Sequence, residues 1–277
     1  VRVLVPLKPV PDPDLSAKIR VSDSGQSLLF PNQEIKPNPF DEYALEAALR
    51  LTEDGRNPRE RLGETVIVTL GTDDADVILR AGLATGADRA IRVPARDEDL
   101  DASIVARVLA HLVNAERCDL VVMGKQSADG DGNEVGQRLA HVLGWPQVTF
   151  VSRITELADG RLDLDREIDG GVQKLRVRLP AVVTVDLRIV TPEAVRSRHT
   201  PKDFVYPPGV RFAPLPAIMR ARKKPLELGS MSALLDSSAQ RLLQHVRYEI
   251  PAARASGRIV SSTKELVRLL TSEAKVL

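Results

Sequence analysis

Between Val1 and Trp145 the chain alternates short uninterrupted apolar runs with stretches whose apolar residues recur at helical spacing, and this alternation constrains the fold more than any other feature. The runs Val1–Leu7, Thr65–Leu70, Ala90–Val93 and Leu120–Met123 have strand length and little internal alternation, as expected for strands covered on both faces of a parallel sheet. Helical stripes separate and follow them: Ala44, Leu45, Ala48, Leu49 and Leu51; Val77, Leu79, Leu83 and Ala84; Ile104, Val105, Val108, Leu109 and Leu112; Val135, Leu139, Val142 and Leu143. The order βαβαβαβα, joined by right-handed crossovers, predicts an α/β fold with a Rossmann-like, mainly parallel sheet and helices on both faces. Ligands of such sheets gather at the carboxyl ends of strands, which here are Pro6, Leu70 and Gly124.

Departures from the alternation mark the other regions. Lys8–Phe40 carries Pro9, Pro11, Pro13, Pro31, Pro37 and Pro39, too many for a long helix. It reads as an excursion with edge strands at Lys18–Val21 and Ser27–Phe30 about the Asp23–Ser24–Gly25 turn. Asn38 and Asp41 are both candidate caps for the helix that follows, and Asp73 or Asp74 for the next one. Polar Glu53–Glu64 reads as a loop. Beyond Trp145 the strands Gln147–Glu156, Arg161–Arg166 and Gln173–Leu179 are joined by hairpin turns at Ala158–Asp159–Gly160 and Asp169–Gly170–Gly171, before Ala181–Val185. Thr191–Leu215, rich in proline and charge, reads as a long surface excursion that ends the compact domain. Pro225–Leu277 offers helices at Met231–Leu235 and Thr263–Ser272 and too little apolar periodicity for a core of its own. The expected organisation is an α/β domain over 1–190, a surface excursion over 191–224 and a partner-bound arm over 225–277.

Chemistry concentrates in Asp119–Trp145, where a buried strand, a glycine-punctuated loop and a helix opening near Asn133 meet. Gly130 and Gly132 allow a ligand to approach the backbone, and the first-turn amides of the helix form a cradle for an anion. Asp129 and Asp131 would repel a bare phosphate unless they cap amides, bind ribose hydroxyls or take a cation. The competing reading is a solvated turn in which Asp and Gly serve only as turn residues.

Composition excludes several other chemistries. Lys+Arg 39 against Asp+Glu 38 leaves a net charge of +1, so no global field recruits nucleic acid or an anionic membrane. The local basic run Arg220, Arg222, Lys223 and Lys224 lacks the aromatic interleaving of a nucleic-acid surface. Cys118 is the only cysteine, which leaves no internal disulfide or CxxC pair, and His111, His141, His199 and His245 have no metal-ligand spacing. No apolar run approaches the roughly 18 residues of a membrane span, and no cleavable leader is evident. The expected compartment is the cytoplasm, or the mitochondrial matrix in a eukaryote. With no activated nucleophile and no acid/base carboxylate pair, the chain is expected not to be an enzyme by itself, and a cofactor or partner must import its chemistry.

Several segments, taken together and in order, carry a family likeness: NPFD at Asn38–Asp41, GKQSADGDGNEVGQ at Gly124–Gln137, WPQVTF at Trp145–Phe150, DREIDGG at Asp165–Gly171, LPAVVTVDLR at Leu179–Arg188 and LPAIMRARKK at Leu215–Lys224. They resemble the β subunit of electron transfer flavoprotein, in its AMP-binding, non-bifurcating form. The resemblance implies a heterodimer with a larger α subunit that holds most of the FAD, while the β subunit binds a structural AMP and carries the C-terminal arm on its partner. Matched residue by residue, Asp129, Gly130, Asp131, Gly132, Asn133, Glu134, Val135, Gly136, Gln137 and Arg138 form the AMP loop. Pro6, Asn38, Pro39, Phe40, Asp41 and Leu70 would line the adenosine. Glu167 matches a glutamate that meets a basic residue on the mobile flavin domain. Leu215, Pro216, Ile218 and Met219 match the recognition segment that docks flavin dehydrogenases such as acyl-CoA dehydrogenases, from which electrons pass to electron transfer flavoprotein-quinone oxidoreductase.

Three departures from the family pattern bear on the transfer: Thr191–Pro214 is longer than usual, Pro13–Asp14 stands near the place of an aromatic, and Pro6 replaces alanine. Two other functions are weighed against the carrier role. One is a bifurcating-type subunit with a second FAD in the nucleotide site. The other is a stand-alone ATP-dependent enzyme or nucleotide-sensing module, for which the sequence lacks a Gly-x-x-x-x-Gly-Lys-Ser/Thr loop.

Overall fold

The computed structural model describes residues 1–30, 35–235, 239–252 and 256–277, so Pro31 of the proline-rich excursion lies outside the described residues. One sheet organises most of the chain. Its strands are β1 (Arg2–Pro6), β2 (Glu64–Gly71), β3 (Arg89–Pro94), β4 (Leu120–Gly124), β5 (Gln147–Glu156), β6 (Arg161–Ile168), β7 (Gly171–Arg178), β8 (Ala181–Val185), β9 (Val195–Arg196) and β10 (Glu227–Leu228). They lie in the order β7-β6-β5-β8-β4-β1-β2-β3-β10, with β9 beside β5. Every pairing from β5 through β10 is parallel, and the β5–β6–β7 meander at one edge is antiparallel.

The continuous apolar runs follow from burial on both faces. Successive residues of a strand point to opposite sides. Val3 and Val5 of β1, Ile67 of β2 and Val122 of β4 pack with α1 (Pro39–Thr52) and α2 (Asp76–Thr85), whereas Leu4, Val66, Val68 and Val121 pack with α3 (Ala102–Ala115) and α4 (Val135–Leu143). Each fully buried aliphatic side chain stabilises the fold by roughly 1.5–3 kcal/mol. Asp101 caps α3 by accepting the Ile104 amide at 2.8 Å. Gly86 and Gly144 end α2 and α4 at positive φ.

Local structure differs from the sequence reading in several places. α4 begins at Val135 rather than near Asn133, because Asp131 (φ 49°) and Asn133 (φ 45°) are left-handed and cannot join a right-handed helix. Neither Asp73 nor Asp74 caps α2: they lie in a 3₁₀ turn, Asp73–Ala75, ahead of it. Glu53–Glu64 is no plain loop, since Glu53–Asp54 and Asn57–Arg61 pair antiparallel. The proline-rich excursion is tied at its root by antiparallel pairing of Pro9–Pro11 with Ile35–Pro37.

The chain divides into two compact units, 1–19 with 30–245, and 20–29 with 246–277. The sequence reading placed boundaries at 190 and 224. In the structure residues 191–235 belong with the sheet: β9 and β10 pair with it, Val195 and Tyr206 are buried, and Met231 and Leu234 of α6 (Met231–Leu234) pack against the apolar cluster around α3. Sequence periodicity missed this because the few apolar residues buried there, such as Val195 and Tyr206, are isolated in the chain and meet partners far away in it. α5 (Leu215–Ala221) lies against α2, held by Arg80, whose guanidinium donates to the Ala221 carbonyl at 2.7 Å and to that of Lys224. The smaller unit pairs Arg20–Val21 with Leu28–Leu29 about Gly25, whose carbonyl accepts the Tyr248 amide at 2.8 Å. It also contains α7 (Thr263–Ser272), capped by Ser262 through the Glu265 amide.

Candidate functional site

The connection after β1 leads toward β2, while the one after β4 leads to the other side of the sheet through α4. A crevice therefore opens at the carboxyl ends of β1 and β4, the switch point where ligands of such sheets bind. Lys8 follows β1 on one wall, and Gly124–Glu134 follows β4 on the other.

The start of α1 joins the two walls. Asn38 and Asp41 are buried, and neither side chain caps α1, although Asn38 stands at its N-cap. The Asn38 side chain donates to the Gln126 carbonyl at 2.9 Å and accepts the Ala128 amide at 3.1 Å, pinning the loop beyond β4. The Asp41 carboxylate accepts the Lys8 amide at 2.8 Å and the Gly124 amide at 3.2 Å, one from each wall. Burial pushes the Asp41 pKa from 3.8 up to about 7, with the Lys8, Asn38 and Gly124 donors pulling the other way. Because folding raises this pKa, the contribution of Asp41 to global stability is fully present below about pH 4 and is lost as pH rises through about 7.

Across the crevice, the Lys8 ammonium binds both Asp129 oxygens at 2.8 and 2.7 Å and lies 3.4 Å from Ser127 Oγ. Asp131 accepts from the Gln126 side chain at 2.7 Å. Of the two loop carboxylates, Asp129 is thus paired with Lys8, which offsets its repulsion of an anion, while Asp131 keeps its charge and braces the loop. Glu134, at the N-cap of α4, makes no side-chain cap and instead pairs with Arg138 at 2.6 Å. The amides of Val135, Gly136 and Gln137 have no carbonyl a turn earlier to bond, so the dipole end of α4 is uncapped. Gln137 donates to the Asn133 carbonyl and side chain at 2.8 and 3.0 Å, and its Oε1 is buried without a partner among the described residues.

The glycines serve different ends. A Cβ on Gly124 would stand 2.5 Å from the Asp41 carboxylate, and one on Gly136 would stand 2.6 Å from the Thr184 methyl, so both are required by packing. At Gly132 nothing lies within 4 Å, and at Gly130 only Ser127 Oγ does, at 3.8 Å. Those two line open space.

Of the residues expected from the sequence, Asn38 and Asp41 tie to the strand exits and to Gln126 and Ala128 of the loop, and Asp129 joins the opposite wall through Lys8. Pro6 ends β1 and Leu70 lies one residue short of the end of β2, both half-buried on the same edge of the sheet. Glu167 near the end of β6 pairs with Arg188 of the same chain. Leu215, Pro216, Ile218 and Met219 form a separate exposed surface on α5, where Leu215 is 70% and Met219 50% exposed. Lys8 escaped the sequence reading, although a lysine just past a strand end opposite an aspartate-bearing loop was the available signal. A second group also escaped it. The Lys125 ammonium bonds Asp186 at 2.9 Å between the rings of Phe40 and Phe150, 5.5 and 5.4 Å away. Phe150 adopts φ 57° at a register shift in β5.

An open parallel sheet with a glycine-bearing loop at its switch point defines a Rossmann-like α/β protein. Residues 31–233 match the electron transfer flavoprotein domain. The chain is 38% identical over 277 residues, the full length of both, to the electron transfer flavoprotein subunit beta of Bradyrhizobium diazoefficiens. It is 38% identical over 281 residues to the subunit beta of Homo sapiens, covering 99% of this chain and 98% of the other, and 37% identical over 278 residues, the full length of both, to the mitochondrial subunit beta of Arabidopsis thaliana. The chain belongs to the electron transfer flavoprotein family, in its β-subunit line. Among the described residues no helix is long and apolar enough to cross a membrane, and no group of His, Cys, Asp and Glu is placed to hold a metal ion.

Proposed function

We propose that this chain is an electron-carrier subunit without catalytic residues of its own, which pairs with an α subunit and holds AMP in the crevice between β1 and β4. The observation that carries the reading is the cradle itself: an uncapped α4 start, open space at Gly132, and a lysine already neutralising the nearest loop carboxylate. These residues fit an adenine mononucleotide. Its phosphate suits the loop from Gly130 to the α4 amides, and Pro6, Asn38–Phe40 and Leu70 stand where the adenosine would lie. FAD, borne mostly by the α subunit, supplies the redox chemistry of the complex. This chain contributes surfaces: α5 with Leu215, Pro216, Ile218 and Met219 to dock flavin dehydrogenases such as acyl-CoA dehydrogenases, and Glu167 to meet the flavin domain. Electrons would leave for a quinone oxidoreductase. Residues 246–277 of the smaller unit would contribute to the α-subunit interface.

Co-purification with the α subunit, followed by extraction and identification of nucleotides, tests the reading. One AMP and one FAD per heterodimer is the expected result. Two FADs would establish the bifurcating type, and ATP would point to a nucleotide-consuming module.

A further inference from the structure

We propose that Asp41 is a positioning residue, which holds the two walls of the switch-point crevice at nucleotide-binding separation through the Lys8 and Gly124 amides without itself touching the nucleotide. The inference rests on the nucleotide-site reading above and changes the role of one residue in it, from lining the ligand to setting the shape of its site.

Asp41 is 6% exposed and forms no ion pair among the described residues. A helix start needs no such group, because an exposed Ser or Asn caps as well without the cost of burying a charge. Asp41 does not cap α1. It spends both oxygens on amides that belong to different strands' exits, and on the Gly124 side the approach is so close that a Cβ would stand 2.5 Å from Oδ1 and 2.7 Å from Phe40 Cβ. Lys8 is the pivot of one wall: its amide is held by Asp41 and its ammonium by Asp129. Gly124 is the pivot of the other, since the loop carrying Gly130 and Gly132 leaves from it. A shift of either amide moves the cradle relative to the strand ends.

Other charged groups around the carboxylate are already committed. The Lys8 ammonium is on Asp129, and the Lys125 ammonium is on Asp186 beneath Phe40. Glu42 on the same helix points to the exposed side, and Lys36 from the strand paired with Pro9–Pro11 holds Asp12. Protonation of Asp41 is therefore opposed only by the three donors and the already paired Lys8 charge, and burial outweighs them, pushing the pKa up to about 7. A neutral carboxyl is a weaker acceptor for both amides than the anion.

The test is AMP binding to the full-length chain, wild type and Asp41→Asn, by calorimetry from pH 8 to pH 6. The asparagine keeps one acceptor oxygen and turns an amide group against the other N–H. Its dissociation constant is expected to be at least tenfold higher than wild type at pH 8. The ratio should shrink toward one at pH 6, where wild-type Asp41 is itself neutral; the phosphate's own titration is common to both proteins and cancels. Equal affinity of the two proteins at pH 8 overturns the proposal. Amide hydrogen exchange supplies a second readout: Lys8 and Gly124 should exchange faster in the variant while core amides of β2 and β4 stay protected, and unchanged exchange at both positions overturns the clamp. If Asp41→Asn does not fold, the wild-type chain carries the test, because protection of Lys8 and Gly124 must fall together between pH 8 and pH 6. Failure of wild type to bind AMP would overturn the nucleotide-site reading, and the exchange measurement would then decide the clamp on its own.

Discussion

The two ends of α1 do opposite electrostatic work. At its start, Asn38 and Asp41 offer mainly acceptors to amides at the exits of β1 and β4. In its second half, buried Arg50 offers donors to carbonyls of the 190–209 segment: Thr191 at 2.8 Å, Pro207 at 3.1 Å and Gly209 at 3.2 Å. Glu46 holds Arg50 at 2.7 Å and Arg211 at 2.7 Å, Glu53 takes Arg211 as well, and the Tyr206 hydroxyl closes on the Arg50 carbonyl at 3.2 Å. The difference lies in what each end meets. Strand exits at a switch point present free N–H groups, so an acceptor joins them. An irregular segment laid over a helix buries carbonyls, so a five-donor guanidinium joins them. The first arrangement leaves space and polarity for a ligand, and the second fills its space with side chains and is purely structural.

The comparison breaks most visibly at Arg50. Arg50→Met strips the 190–209 segment of its donors and leaves buried carbonyls unpaired, and it should cost about 3–5 kcal/mol in denaturant unfolding. AMP affinity of the folded variant should stay at the wild-type value; a parallel loss of affinity would mean the two ends of α1 are not independent. Gly132→Val attacks the other end. A Cβ there has no neighbour within 4 Å outside the adjoining residues, so unfolding without nucleotide should change little. With AMP at about 100 times its wild-type dissociation constant, the variant should lack the ligand's contribution of about 2.7 kcal/mol, read as a lower melting midpoint than wild type.

Two smaller effects sharpen the contrast between surfaces that bind and surfaces that hold. Leu215→Ala removes a side chain that is already 70% exposed, so it should leave stability alone while weakening dehydrogenase docking about tenfold, roughly 1.4 kcal/mol, in titrations against candidate dehydrogenases. Neutralising Arg220 and Arg222 should instead slow association and reduce its salt dependence. Smallest of all, Glu167→Gln should change stability by less than about 1 kcal/mol, because its Arg188 partner is 61% exposed and water screens the pair. A change in the rate of electron transfer without a change in stability would single out its contact with the flavin domain.

Much of the architecture was legible beforehand because it rests on local periodicity. The strands Gln147–Glu156 and Ala181–Val185 and the helices Ala102–Ala115 and Thr263–Ser272 fall where spacing put them. The site was legible as a place, since glycines and a change of period mark the loop after Gly124. Its construction was not. Asn38 and Asp41 look like caps in any one-dimensional reading, and their bonds to Gln126, Ala128 and Gly124 span more than eighty residues. Lys8 and Asp129 are separated even more widely.

The sequence by itself determined the parallel sheet, because apolar runs buried on both faces and helices with one apolar stripe admit few other packings, and it determined the family through motifs spread along the chain. Only the tertiary structure decided which glycines serve packing and which line open space, that residues 191–235 join the main sheet, and that a helix-start aspartate became a buried bridge between two strands. Periodicity records which way a side chain faces. The partner of a polar group is set by whatever the fold brings within hydrogen-bond reach, and in Asp41 and Arg50 that partner comes from a distant part of the chain.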